Sequence, residues 1–267
     1  MSFGVADFLG GTTSRRVGTL QFIFCTQVIA VVLAGGWVAI SADPFPPAAA
    51  VVAAAGAGLG MTIGLAAFFQ AMVVGTMSIV APISATGVVV PIVAGIVRGE
   101  RPGAAQAVGI LAAIGGIVLA SRPPREHRSA RVESGLGLAL LAALGSGLML
   151  WLMAPASRHG VPWALLIARG IPALILAAVV GIRQTSLRQV LAGNARITLV
   201  SALLGFSGIA LYAAATLHAQ LVIASVLASL YPAVTVLLAY RVLGERVHGV
   251  QQFGIGVVLA GVVLLST

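Results

Sequence analysis

GIVRGERPGAAQAVGILAAIGG, residues 95–116, returns later in the chain as YRVLGERVHGVQQFGIGVVLAG, residues 240–261. The triplet Gly99-Glu100-Arg101 falls on Gly244-Glu245-Arg246 at an offset of 145 residues. At the same offset Gln106, Gly109-Ile110 and Gly116 fall on Gln251, Gly254-Ile255 and Gly261. Upstream, Gly60 falls on Gly205 and Ser84 on Ser229. Apolar helices often match by chance, because they use few residue types. A charged loop triplet in register with the helices around it is a stronger sign. The chain reads as two copies of one unit.

Composition identifies the solvent of these copies. Of 267 residues, 60% are hydrophobic and only 8% are charged, where soluble domains carry roughly a quarter charged. Mean hydropathy is +1.10. A helix crossing a ~30 Å hydrocarbon core needs about 20 apolar residues. Nine such runs are read at 17–40, 51–74, 78–97, 104–120, 135–156, 162–182, 197–217, 222–242 and 250–265. The ten-residue alternation of a membrane β-barrel is missing. These features exclude a soluble globular domain, a disordered chain and a two-domain soluble enzyme. No basic region precedes an apolar core after Met1, so no cleavable leader is expected and the spans themselves do the targeting. The expected location is the cell inner (cytoplasmic) membrane, as a multi-pass protein.

The second copy holds five spans and the first only four, preceded by FGVADFLGG at residues 3–11. The repeat predicts that this stretch is the later part of a first helix, the alternative being a re-entrant or interfacial segment. Five helices per copy is an odd number, which sets the copies in opposite orientations. The expected fold is therefore all-α integral membrane, with ten transmembrane helices, the first truncated, in two inverted five-helix repeats. The first half covers 1–121, an Arg/Pro-rich connecting loop 122–134, and the second half 135–267.

The net charge is +9, from fifteen basic residues, every one Arg, against six acids. Grouped by alternate loops, eleven arginines (15, 16, 122, 125, 128, 131, 183, 188, 196, 241 and 246) lie on one side. Arg98, Arg101 and Arg158 lie on the other. This positive-inside bias predicts that the 121–134 loop is cytoplasmic and that both termini are outside. The arginines are expected to contact acidic headgroups, making membrane lipids partners. A basic stripe with interleaved aromatics is absent, so nucleic acid is not an expected partner.

The early Phe-Gly-x-x-x-Phe, a helix end at Phe68-Phe-Gln-Ala-Met72, the proline of Ser229-Leu-Tyr-Pro232 and the repeated Gly-Glu-Arg turn before a Gly-rich last helix resemble the EamA-type branch of the drug/metabolite transporter superfamily. The likeness spans nearly the whole chain. It implies ten helices in two inverted halves that carry small metabolites, with the first, third and fourth helices of each half lining a central cavity. The chain departs from the pattern at its short first helix and at Gly87, which stands where the second copy has Pro232. Many members are thought to have cytoplasmic termini, and there the arginine count disagrees with the analogy.

Candidate binding residues are the polar and aromatic groups in or near the spans. The expected substrate-binding set is Asp7, Gln70, Ser84, Trp151, Tyr212, Ser229 and Tyr231, with Thr86, Ser225 and Tyr240 nearby. Pro82, Pro91 and Pro232 remove backbone hydrogen bonds and are the expected hinges. Asp7 and Arg169 are the charges inside predicted spans, Arg241 lying at the very end of the run 222–242. Intramembrane charge costs at least ~2.5 kcal/mol on insertion scales and persists where it has a use. Asp7 is expected to be a proton-coupling acid, or else a helix-end residue at the interface. Arg169, a few residues into its helix, is expected to snorkel to the headgroups, or else to serve function. The Gly56-x-Gly58-x-Gly60-x-x-x-Gly64 run reads as a close-packing face, as do the glycines of the two terminal helices, with a homodimer contact as a further expectation.

Enzyme chemistry finds no support. Gly205-Phe-Ser-Gly208 imitates an intramembrane protease motif, but His218 lies on the same helix as Ser207 and cannot form the dyad. The four histidines fit no zinc spacing, so no metal is expected. Lys is absent from the chain, and with it any Walker A motif. Cys25 is a lone apolar-run cysteine. The expectation is a non-enzymatic secondary transporter, an exporter of a small-molecule substrate by alternating access, without cofactor. The alternative is a non-transporting or lipid-handling membrane protein on the same fold.

Overall fold

The computed structural model describes residues 2–75, 77–120, 130–243 and 249–265. The second Gly-Glu-Arg turn and residues 121–129 of the connecting loop lie outside them. The described chain runs α1 (Ser2–Val17), α2 (Thr19–Ser41), α3 (Ala48–Val74), α4 (Met77–Ala85), a 3-10 turn (Thr86–Val88), α5 (Val89–Val97) and α6 (Ala104–Ala120). It continues with α7 (Ala130–Ser157), α8 (Val161–Ile182), α9 (Arg188–Gly193), α10 (Ala195–His218), α11 (Leu221–Ala228), α12 (Tyr231–Leu243) and α13 (Gly249–Leu265). Among the described residues there is no strand.

Among the described residues, five helices are long and apolar enough to cross a membrane: α2, α3, α8, α10 and the Gly135–Ser157 part of α7. In each, fewer than half the residues of the most apolar window are buried inside the protein. Large side chains such as Val32, Leu111, Leu174 and Leu211 point outward, as expected when the surroundings are as apolar as the interior. The protein is a multi-pass membrane protein.

Because lipid rewards outward leucines as well as inward ones, small residues decide which helices meet. A Cβ on Gly60 would stand 2.8 Å from the Gly145 carbonyl oxygen, and one on Gly64 would stand 3.0 Å from the Ser146 nitrogen. The α3 and α7 backbones therefore touch at a seam only glycine permits. Gly58 does the same against the Ala168 carbonyl oxygen of α8, at 2.8 Å. At Gly4 a Cβ would meet the Tyr231 carbonyl oxygen at 2.6 Å, so α1 lies directly on α12.

Two runs read above as single spans are each broken near the middle. The first, 78–97, is α4 and α5 joined by the 3-10 turn. Pro91 lacks the N–H that the Gly87 carbonyl would use, and the turn sits between Pro82 and Pro91. The second, 222–242, breaks at Ser229-Leu230 ahead of Pro232, which leaves the Ala228 carbonyl without its helical donor. Two boundaries also move. Arg15 and Arg16 form the last turn of α1 rather than a loop, and the chain turns at Gly18, where φ is 91°. The helix of α7 begins at Ala130, within the stretch read as connecting loop.

Packing is reciprocal between the copies. α3 lies on α7 as α10 lies on α1; α3 meets α8 as α10 meets α2; and α4 meets α12 as α11 meets α5. α2 packs on α8, and α6 on α13. Polar ties follow the same seams. Arg15 Nη2 donates to the Met72 carbonyl at 2.8 Å, closing the end of α3. Glu100, in the first Gly-Glu-Arg turn, accepts from the Leu221 and Val222 amides at 3.0 Å each. Its carboxylate thereby caps α11 of the other copy, satisfying amides that a helix start leaves without partners.

Candidate cavity between the two copies

Between the copies lies a cavity of about 140 Å³ open to the centres of water molecules. Its walls come from both: Asp7 on α1, Gln27 on α2, Ser84 on α4, Ser146 on α7, Arg169 on α8, Ser201 on α10 and Tyr231 on α12. Both broken helices reach it, through Ser84, Ala85 and Val88 on one side and through Ala228, Ser229 and Tyr231 on the other. Ser84 and Ser229, which the repeat aligns, therefore line one chamber. Their hydroxyls are used alike: Ser84 donates to the Val80 carbonyl at 2.9 Å and Ser229 to the Ser225 carbonyl at 2.8 Å. Ser146 donates to the Ala142 carbonyl at 2.8 Å, and Ser201 to the Ala6 carbonyl at 3.0 Å. With their protons committed to backbone, these hydroxyls offer acceptor lone pairs to the cavity.

The rest of the wall is aromatic. Phe3, Phe22, Phe68, Phe69 and Tyr231 line it, and Tyr231 stands edge-on to Phe3 and Phe68 with centroids 6.4 Å apart in each pair. Asp7 faces the same space and, among the described residues, has no hydrogen bond or ion pair. Its wall position is fixed by helix contacts: Thr235 Oγ1 donates to the Gly4 carbonyl at 3.2 Å, holding α1 on α12.

Of the sequence-derived binding set, the structure brings Asp7, Ser84, Ser229 and Tyr231 together and leaves the other three outside the cavity. Gln70 is exposed and accepts from Thr19 Oγ1 at 3.3 Å, on the outer side of α3. Trp151 is half-buried beside Arg98, whose guanidinium lies 5.8 Å from the ring centroid. Tyr212 is buried behind the wall; its hydroxyl donates to the Leu150 carbonyl at 2.7 Å and lies 3.0 Å from Ser225 Oγ. Of the neighbouring residues, Thr86 donates to the Ile83 carbonyl at 2.7 Å, and Tyr240 is exposed. Pro91 is buried in α5; Pro82 and Pro232 lie in α4 and α12, their side chains outside the described ones. Ser207 is exposed and donates to the Leu203 carbonyl.

Arg169 corrects an expectation. Instead of snorkelling it is 7% exposed and turned inward to the cavity. Its Nη1 donates to Gln27 Oε1 at 2.8 Å and its Nη2 to the Gly205 carbonyl at 3.0 Å. Gln27, wholly buried, was not singled out in the sequence; its signal was an amide inside an apolar run.

Comparison with known proteins agrees with this architecture. The EamA-like transporter family matches residues 1–122 and 133–267. No curated protein sequence matches the chain. A crystal structure of another protein shares the fold, with a TM-score of 0.73 over 98% of this chain and 94% of its own, at 16% sequence identity.

Proposed function

The chain belongs to the EamA-like transporter family, and from that membership we propose that it is a secondary transporter, moving a small metabolite by alternating access in the direction of export. The observation that carries the reading is the cavity itself. Its wall is drawn from both copies and holds an acid, a guanidinium and five aromatic rings at the level of two broken helices. Broken spans around a midplane cavity are how helical transporters expose polar backbone to a solute. Reciprocal packing gives the motion a plan: an exchange of the paired contacts between copies would open one face and close the other.

In this reading the bundle has ten membrane helices, α4 with α5 and α11 with α12 each counting as one broken span. The two five-helix halves run in opposite directions. The arginine asymmetry places the 121–134 loop in the cytoplasm and both termini outside, in the inner membrane of the cell. Asp7 is the coupling acid, exchanging a proton with a solute's charge or hydrogen bond. Neither catalysis nor a bound cofactor enters this reading.

The test is flux. Purified chain in ATP-free liposomes is expected to exchange radiolabelled small solutes faster than empty liposomes, across a panel of amines, acids and neutral metabolites. No protein-dependent flux with any of them, together with transfer of fluorescent lipid between leaflets, would favour the lipid-handling alternative and end this reading.

A further inference from the structure

Arg169 is a cation for which the described residues supply no anion. Its side chain is buried in the cavity wall, its two hydrogen bonds go to the neutral oxygens of Gln27 and Gly205, and its Nε is buried without a partner. Among the described residues no carboxylate lies within ion-pair distance of it, and Asp7, in the wall of the same cavity, forms no ion pair. Tying α8 to α2 and α10 does not need a charge, since a neutral amide could make both bonds. A guanidinium keeps its charge in any protein environment, and an unpaired buried charge is strongly disfavoured. It is retained where an anion arrives.

We propose that Arg169, oriented by Gln27, is the binding subsite for a single carboxylate on the transported solute, whose flat apolar body lies against Phe3, Phe68 and Tyr231. The assignment deepens the transporter reading above and rests on it. Charge balance selects a monoanion: one guanidinium offsets one carboxylate, and Asp7 in the same chamber disfavours the second negative charge of a phosphate. The guanidinium fork also matches the two oxygens of a carboxylate. The serine hydroxyls of the wall, their protons committed to backbone, suit a donor on the solute rather than another anionic group.

The experiment compares phenylacetate with phenylacetamide, equal in shape and different in charge, by ligand-induced thermal shift of the full chain in detergent. The parent chain is expected to bind the acid at least about tenfold more tightly than the amide. Arg169→Gln is expected to remove the difference, and Arg169→Lys to retain part of it. Size-exclusion profiles check folding. If Arg169→Gln does not fold, the acid-to-amide ratio in the parent and in Arg169→Lys decides. No binding of phenylacetate at millimolar concentration, equal binding of acid and amide, or a preference that survives Arg169→Gln overturns the subsite. Protein-dependent flux of the two probes separates this failure from that of the transporter reading. Acid-selective binding with no flux of any solute upholds the subsite and sinks the transport. Flux with equal rates for acid and amide does the reverse.

Discussion

Substituting Gly145 by alanine adds one methyl group at the place where α3 and α7 are closest. That methyl would stand 2.5 Å from the Gly64 nitrogen, 2.7 Å from the Gly60 carbonyl oxygen and 2.8 Å from the Gly64 Cα. Ordinary contact begins near 3.4 Å, and every obstructing atom is backbone, so no side chain can swing aside. The two helices must separate by the better part of an ångström along a seam that has only close packing to hold it. Overpacking of this kind costs about 1–3 kcal/mol, against a gain of ~0.5–1 kcal/mol from replacing glycine in a helix. The expected net loss is ~1–2 kcal/mol, a factor of roughly 5–30 in the folded ratio. Gly137→Ala on the same helix is the control, since its Cβ would meet nothing within 4 Å and only the gain applies. Unfolding by increasing SDS fraction in mixed micelles, followed by far-ultraviolet circular dichroism, reads both. If the Gly145 variant unfolds at the same SDS fraction as the Gly137 variant, backbone contact is not what joins α3 to α7.

Tyr212→Phe removes the donor to the Leu150 carbonyl and the partner of Ser225, both buried; a loss of ~1–2 kcal/mol is expected in the same unfolding assay, with Ser225→Ala milder. Glu100→Gln takes an acceptor from the start of α11, so the Leu221 and Val222 amides should exchange with deuterium several-fold faster while amides in the middle of α3 keep their rates. Asp7→Asn in liposomes with an imposed pH gradient is expected to keep downhill exchange and lose uphill accumulation; a variant that still concentrates solute like the parent shows that Asp7 is not the coupling residue.

How legible these features were in the sequence depends on what fixed each one. The glycines of α3 and the repeated Ser84 and Ser229 could be read directly, because a small residue in a fixed register has few other uses in a membrane helix. The breaks in the two spans were only half legible: Pro91 and Pro232 mark where a carbonyl loses its donor, yet whether the chain then kinks or separates into two helices is settled by neighbouring helices. Rotation was not legible at all. A soluble helix announces its inner face by amphipathicity, but here lipid and interior are equally apolar. Gln70, Trp151 and Tyr212 therefore gave no sign that they point away from the cavity. Depth misled in the case of Arg169. Near a helix start a long side chain can reach the headgroups, and the positions of Gln27, 142 residues earlier in the chain, and of the Gly205 carbonyl turn it inward.

The reciprocal packing also bears on how the molecule is made. α1, α2 and α3 each have their most extensive contact with a helix of the other copy, namely α10, α8 and α7. Chains emerge from the ribosome at about 5–20 residues per second, so the first copy is inserted many seconds before α10 exists. During that interval its glycine seams face lipid or one another, and nothing in the nascent chain can yet fill them. In the order of synthesis, α7 is the first of these partners to become available, to α3, and α13 the last, to α6. Each copy carries the surfaces that complete the other, so two separately expressed halves inserted in the same membrane are expected to associate.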